Sequence, residues 1–205
     1  MALLNRVADR PSQASRGFCG RSNLRVVCCA LLVLTAGWVA GTSVSTAEEP
    51  LPSEYEVKAA FLINFPKYVD WPAEAFAETN SPVVIAVLGE TPVAEEMQKV
   101  IAGRTVNGRK IVFKHLASGE NSGICQILFI SAAELRHSPD VLAKVKDTAV
   151  LTVGESDDFL ESGGIINLAR RDRRIALEVN LIAANKARIK VSSKLLGVAS
   201  VVKSK

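Results

Sequence analysis

Six consecutive apolar residues, Val83-Val-Ile-Ala-Val-Leu88, constrain the fold more than any other stretch of this chain. A strand sends its side chains alternately to two faces, so a run without a polar member has to be covered on both. Gly89 stops the run. Thr91-Pro92 then opens a helix from about Val93 to Ala102, with proline in the first turn, where its missing donor costs little, and Gly103 ends it. Lys110-Ile-Val-Phe-Lys-His115 reads as the next strand. After a loop at Ala117–Gly123, the run Gly123-Ile-Cys-Gln-Ile-Leu-Phe-Ile130 reads as a buried strand. Ser131–Lys146 has helical spacing, interrupted near Ser138-Pro139, with Val141, Leu142 and Val145 as its apolar stripe.

The segment Val150–Ala199 supplies three more strand-like runs. Val150-Leu-Thr-Val153 is stopped by Gly154, and Ile165-Ile-Asn-Leu-Ala169 follows Gly163-Gly164. Arg174–Val179 alternates, with Ile175, Leu177 and Val179 on one face and Arg174, Ala176 and Glu178 on the other. The polar turn Arg170-Arg-Asp-Arg-Arg174 makes the last two an antiparallel hairpin. A short helix at Asn180–Ala187, an extended piece at Arg188–Val191 and a last helix capped by Ser192 or Ser193 complete the reading. Asp157–Leu160 reads as one further short helix. The order of strands and helices is that of an α/β fold in a single domain. Its mixed, mostly parallel sheet is flanked by helices on both faces and carries a C-terminal antiparallel hairpin.

Upstream, Ser53 can cap a helix whose first turn holds Glu54 and Glu56, where the helix dipole favours anions. Val57, Ala60, Phe61, Asn64, Phe65 and Tyr68 recur at three- and four-residue spacing, which predicts a stripe facing the core. Pro66 removes a backbone donor and predicts an irregular turn near Phe65–Lys67, and Pro72 limits the helix beyond Trp71.

Charge separates the chain into two parts. The formal net charge of the 205 residues is +4. Residues 1–47 hold five arginines and one acid, a surplus of +4, so the remainder carries 20 basic and 20 acidic residues and is neutral. A neutral body with no long basic run argues against nucleic acid, whose binding requires neutralised phosphates. The basic stretch has the form of an export leader. Arg21 and Arg25 precede an apolar core from Val26 to Ala40, and Ser45-Thr46-Ala47 offers small residues for cleavage after Ala47. That core is shorter than the roughly 20 residues a spanning helix needs. The expectation is a cleaved leader at 1–47, a domain at 48–205, and a periplasmic mature protein. Cys19, Cys28 and Cys29 leave with the leader, and Cys125 remains as a small buried residue without an internal disulfide partner.

Motifs of catalysis are missing from the sequence: no glycine-rich phosphate loop, no Gly-x-Ser-x-Gly elbow and no His-Glu-x-x-His helix. His115 and His137 lie far apart in sequence, which argues against a Cys/His metal site. Asp157-Asp158 could serve acid–base chemistry, with His115 as an alternative. The reading is nevertheless of a protein without enzymatic activity, cofactor or metal.

The stretch Tyr55-Glu-Val-Lys-Ala-Ala-Phe-Leu-Ile-Asn-Phe-Pro-Lys-Tyr-Val-Asp-Trp-Pro72 resembles the opening helix of the YfiR family. Leu151-Thr-Val-Gly, Gly163-Gly-Ile-Ile-Asn-Leu168, Leu177-Glu-Val-Asn180 and Ile189-Lys-Val-Ser-Ser-Lys-Leu-Leu196 are similar to its closing segments. The resemblance implies an exported bacterial α/β protein that represses a membrane-bound diguanylate cyclase and so restrains cyclic-di-GMP signalling and biofilm formation. It implies a periplasmic domain of such a cyclase, or of a sensor kinase, as partner, and a homodimer as the assembly. Redox control in the family requires paired cysteines, and Cys125 is single here. Two alternatives are a periplasmic small-molecule-binding protein and an envelope assembly factor, neither controlling a cyclase. Asn64, Lys67 and Trp71 near the end of the first helix, Arg170, Arg171, Arg173 and Arg174 at the hairpin turn, and Asn180 after it are the expected contacts with a partner or a small anionic ligand. Guanidinium groups suit carboxylate and phosphate recognition.

Overall fold

The computed structural model describes residues 51–172 and 174–203; the expected leader and Arg173 lie outside the described residues. In chain order the elements are α1 (Glu54–Asn64), β1 (Val69–Asp70), β2 (Val83–Leu88), α2 (Pro92–Val100), β3 (Thr105–Val106), β4 (Arg109–Leu116) and β5 (Ile127–Ile130). There follow α3 (Ala132–His137), α4 (Val141–Lys144), β6 (Leu151–Gly154), β7 (Ile166–Arg171), β8 (Arg174–Asn180), α5 (Leu181–Lys186), β9 (Lys190–Val191), α6 (Ser193–Leu196) and β10 (Val201–Lys203).

Eight strands form one sheet in the order β10-β8-β7-β6-β5-β2-β4-β3, and β1 pairs with β9 in a separate two-stranded ribbon. Strands β4, β2, β5, β6 and β7 are parallel. The hairpin partner β8 runs antiparallel to β7, and β10 runs parallel to β8. This is the mixed, mostly parallel sheet with a C-terminal hairpin that the sequence predicts. All six residues of β2 are buried. Val83, Ile85 and Val87 join the core under α1 and α2, with Leu62, Met97, Phe129 and Leu168. Val84, Ala86 and Leu88 join a second core under α3 and α4, with Leu128, Ile130, Leu135 and Leu142. The two-sided cover demanded by the apolar run is what the fold supplies.

Ser53 and Glu56 form a reciprocal cap at the start of α1, the Ser53 hydroxyl accepting from the Glu56 amide at 3.2 Å. Pro66 ends the helix as expected, and Phe65–Lys67 is a single 3-10 turn. The predicted stripe is only in part the core face: Phe65 is buried, and Phe61 and Tyr68 pack against the core from its edge. Lys58, Ala59, Leu62 and Ile63 are the buried residues of α1, while Ala60 is exposed and Val57, Phe61 and Asn64 are half-buried. Both stripes have helical spacing, and packing against the sheet selects the one containing a lysine.

Two loop expectations also change. Asp157–Leu160 forms turns instead of a helix. The reason is Phe159, whose ring lies against Gly154 and Gly164: a Cβ on either glycine would stand 2.1 Å from the ring. The sequence marks both glycines as punctuation, and their second use is to admit this ring. The arginine-rich turn is shorter than predicted, because Arg171 and Arg174 are paired across β7 and β8. Arg170, Arg171 and Arg174 are therefore strand residues. Asp172, at φ 54°, takes the left-handed conformation that a short polar side chain tolerates.

Candidate functional site

Three places carry the polar and apolar features from which a site could be built. The first is a charge network joining α1 to the ends of β6 and β7. Lys58 is only 2% exposed, and its ammonium donates to Glu54 and, at 2.7 Å, to Glu155 Oε2. Glu155 Oε1 accepts from the Ala132 amide at 3.1 Å, which ties the same carboxylate to the start of α3. Arg170 reaches Glu54 Oε2 at 3.1 Å. Burial pulls the Lys58 ammonium down, but hydrogen bonds to Glu155 and Glu54 outweigh it and hold the pKa above its ordinary value.

Arg171 anchors the second place. Its Nη1 donates to Asp157 Oδ1 at 2.7 Å and its Nη2 to Glu178 Oε1 at 2.9 Å. Glu178, on the face opposite Leu177 and Val179 as the alternation predicts, is buried, and its other oxygen accepts from Asn167 Nδ2 at 2.9 Å. Arg170 and Arg171 both line an open cleft of about 640 Å³ at the C-terminal ends of β5, β6 and β7, with Arg136 and Ser156 in the same wall. Arg174 is exposed at the start of β8.

The third feature is an apolar groove of about 640 Å³ on the outer side of α1. Val57, Phe61, Phe65 and Tyr68 line it from α1 and the turn after it, and Leu195 and Val198 close it from the α6 side. Asn64 lies on its border and accepts from the Lys67 ammonium at 2.8 Å, while its amide donates to the Ala60 carbonyl. Spacing assigned this stripe to the core, and the structure places it at the core's edge, with Phe65 buried and Val57, Phe61 and Tyr68 partly exposed in the groove.

The structure thus brings Arg170 and Arg171 together in one cleft and joins Asn64 to Lys67 at the far end of α1, a helix about 16 Å long at 1.5 Å per residue. Trp71 stands apart from both. Its indole donates to the Gln126 carbonyl at 3.2 Å and meets Phe76 edge-on at 6.5 Å. Asn180 is buried as the cap of α5, accepting from the Ala183 amide and donating to the Leu160 carbonyl. His115 and His137 each engage a backbone carbonyl, of Gly89 and Ala133 respectively. Cys125 is buried, and that burial pushes its thiol up to about 11, far from a reactive thiolate. Among the described residues no group of three or more His, Cys, Asp or Glu is placed to hold a metal ion, and no helix is long and apolar enough to cross a membrane.

Lys58, Arg136, Glu155 and Ser156 are the residues that sequence reasoning missed. Lys58 alone left a trace: it shares helical spacing with Ala59, Leu62 and Ile63 and sits four residues after Glu54, an arrangement that favours an ion pair.

A family model described as YfiR/HmsC-like matches residues 55–200. The chain belongs to that family. The YfiR/HmsC-like region runs from the first turn of α1 to the residue before β10 and takes in both the cleft and the groove. Among solved structures, the chain is similar to a conserved domain protein from Vibrio cholerae O1 biovar El Tor. That similarity is at 15% identity and a TM-score of 0.49 over 74% of this chain. It spans 60% of the length of that Vibrio chain. Comparison with curated protein sequences returns no match.

Proposed function

We propose that this protein is a periplasmic regulator that represses a membrane-bound diguanylate cyclase, restraining cyclic-di-GMP signalling and biofilm formation. The observation that carries this reading is the extent of the YfiR/HmsC-like match, which covers the whole body of the domain and not one motif. The reading is of a module that acts by binding, with no reaction of its own.

The surface suits such a role. Val57, Phe61 and Tyr68 are only partly buried and line the groove beside α1, and Val198 on its edge is 67% exposed. Apolar surface of this kind, bordered by Asn64 and Lys67, has the apolar centre and polar rim of a protein contact. The partner is the periplasmic domain of the cyclase or of a related sensor. It lies along α1, with Arg170 within reach at the other end of the helix, and the protein works as a homodimer. Export through the leader at 1–47 places it in the compartment where that domain is accessible.

Deleting the gene in a host that encodes a membrane diguanylate cyclase beside it should raise cyclic-di-GMP and surface attachment. Val57→Glu with Val198→Glu should reproduce much of that rise in a protein that remains folded and exported. Unchanged cyclic-di-GMP in the deletion strain would sink the reading.

A further inference from the structure

The cleft at the ends of β5, β6 and β7 has a feature that partner docking along α1 does not use. Arg171 is held from behind by Glu178, whose side chain is 9% exposed and fixed in turn by Asn167. On its solvent side the guanidinium is capped only by Asp157, a loop carboxylate 85% exposed. The arginine is therefore positioned by buried partners, while the acceptor in front of it can swing into water. In the same wall, the Ser156 hydroxyl oxygen is shielded from solvent and has no hydrogen-bond partner. Arg136, exposed on α3, lines the cleft and forms no ion pair among the described residues.

We propose that this cleft binds a small molecule through a carboxylate or phosphate group. That group accepts from Arg171 and Arg136 and from the Ser156 hydroxyl, and Asp157 is the internal competitor it displaces. The location agrees with the rule that open α/β sheets hold ligands beyond the carboxyl ends of their parallel strands. A guanidinium pre-oriented by a buried carboxylate loses little freedom when it takes a new acceptor, which favours binding. Glu155 lines the same wall but is already neutralised by Lys58. Asp158 also lines the cleft, and its negative charge opposes anion binding there.

The test uses the purified protein as exported, with inorganic phosphate and citrate as separate probes in calorimetric titrations at low salt. At least one should bind in the millimolar range or tighter; phosphate alone assigns a phosphate group, and citrate alone a carboxylate. Arg136→Gln should weaken binding about tenfold, the effect of losing one charge-assisted hydrogen bond. Asp157→Asn should tighten it several-fold, and by more than Asp158→Asn. That last comparison separates release of Arg171 from a general drop in negative charge. Failure of both probes to bind would overturn the proposal, as would binding that Arg136→Gln leaves unchanged or that the two aspartate variants raise equally. Cyclic-di-GMP levels play no part in these readouts, so failure here and failure of the repressor reading are distinguishable.

Discussion

The middle of the sheet and its β7–β8 end are built from the same pleated backbone but hold together differently. In β2 and β5 every residue is apolar and buried, and the two cores above and below need only complementary volume. At the other end Asn167, Glu178 and Asn180 are buried polar residues, each needing a particular donor or acceptor. Apolar packing tolerates exchange between similar shapes, whereas a buried polar group without its partner costs its full desolvation. The centre of the molecule is therefore set by patterning and the end by pairing.

The largest expected effect lies in the centre. Phe129, with no exposed surface, packs in the core under α1 and α2, flanked in the sheet by Val87 of β2 and Val153 of β6. Phe129→Ala should lower unfolding stability by about 3–5 kcal/mol, the range for aromatic truncation in a close-packed core. Urea denaturation would measure it. A loss below that of the polar-end variants would reverse the comparison.

Lys58 stands where the two regimes meet, and its removal should rank second. Lys58→Ala leaves Glu155 without its cation inside the fold, while Glu54 keeps Arg170. A loss of about 3 kcal/mol is expected, the low end for breaking a buried pair. The pH dependence has a defined sign. Despite burial, the carboxylates raise the folded-state pKa of Lys58 above its ordinary 10.5. The folded state therefore holds this proton more tightly, so the stabilisation is complete below that ordinary value and fades as pH climbs through the raised one. Denaturation midpoints of wild type and Lys58→Met should converge on that alkaline side. Parallel curves throughout would mean that Lys58 acts by packing alone.

These two residues also mark what was legible. The apolar run at Val83–Leu88 implied two-sided cover, and the alternation of Arg174–Val179 implied a hairpin; both follow from periodicities that burial imposes directly. The burial of Lys58 and Glu178 was not legible, because a charge inside a strand or helix stripe looks solvated until its partners arrive from elsewhere in the chain. Those partners, Glu155 for Lys58 and Asn167 with Arg171 for Glu178, are 97, 11 and 7 residues away in sequence. The α1 stripe was ambiguous for a related reason. Two apolar faces of one helix satisfy the same spacing, and only the sheet decides between them. The arginine cluster was visible from composition, yet the roles of its members depend on which face of β7 each side chain leaves.

Arg171 should rank third. Arg171→Ala leaves Glu178 with Asn167 as its only partner among the described residues in a nearly enclosed position, so a loss of stability larger than that of Arg170→Ala is expected. Thermal unfolding of that variant beside Glu178→Gln is informative, since the neutral amide removes the charge that Arg171 balances. The double variant should then lose clearly less than the sum of the two single losses, because the residues share one interaction. Strict additivity would show that the arginine does not stabilise the buried carboxylate.

Arg170 should produce the smallest change, although it is the same residue type one position away. Successive strand residues point to opposite faces, so Arg170 looks toward α1 while Arg171 looks toward Asp157 and Glu178. The Arg170 side chain is mostly exposed, and its one carboxylate partner, Glu54, is already held by Lys58. Removing the guanidinium therefore strands no buried charge. Arg170→Ala should cost between zero and about 1 kcal/mol, as exposed pairs do, and added salt should shrink even that. The gap between Arg170→Ala and Arg171→Ala at low salt should persist at high salt, because the enclosed contact to Glu178 is poorly screened while the Glu54 contact is not. Equal losses in both variants would mean that Glu178 is as solvated as Glu54. The β7–β8 end would then be an ordinary charged surface, no more dependent on specific pairing than the outer side of α2.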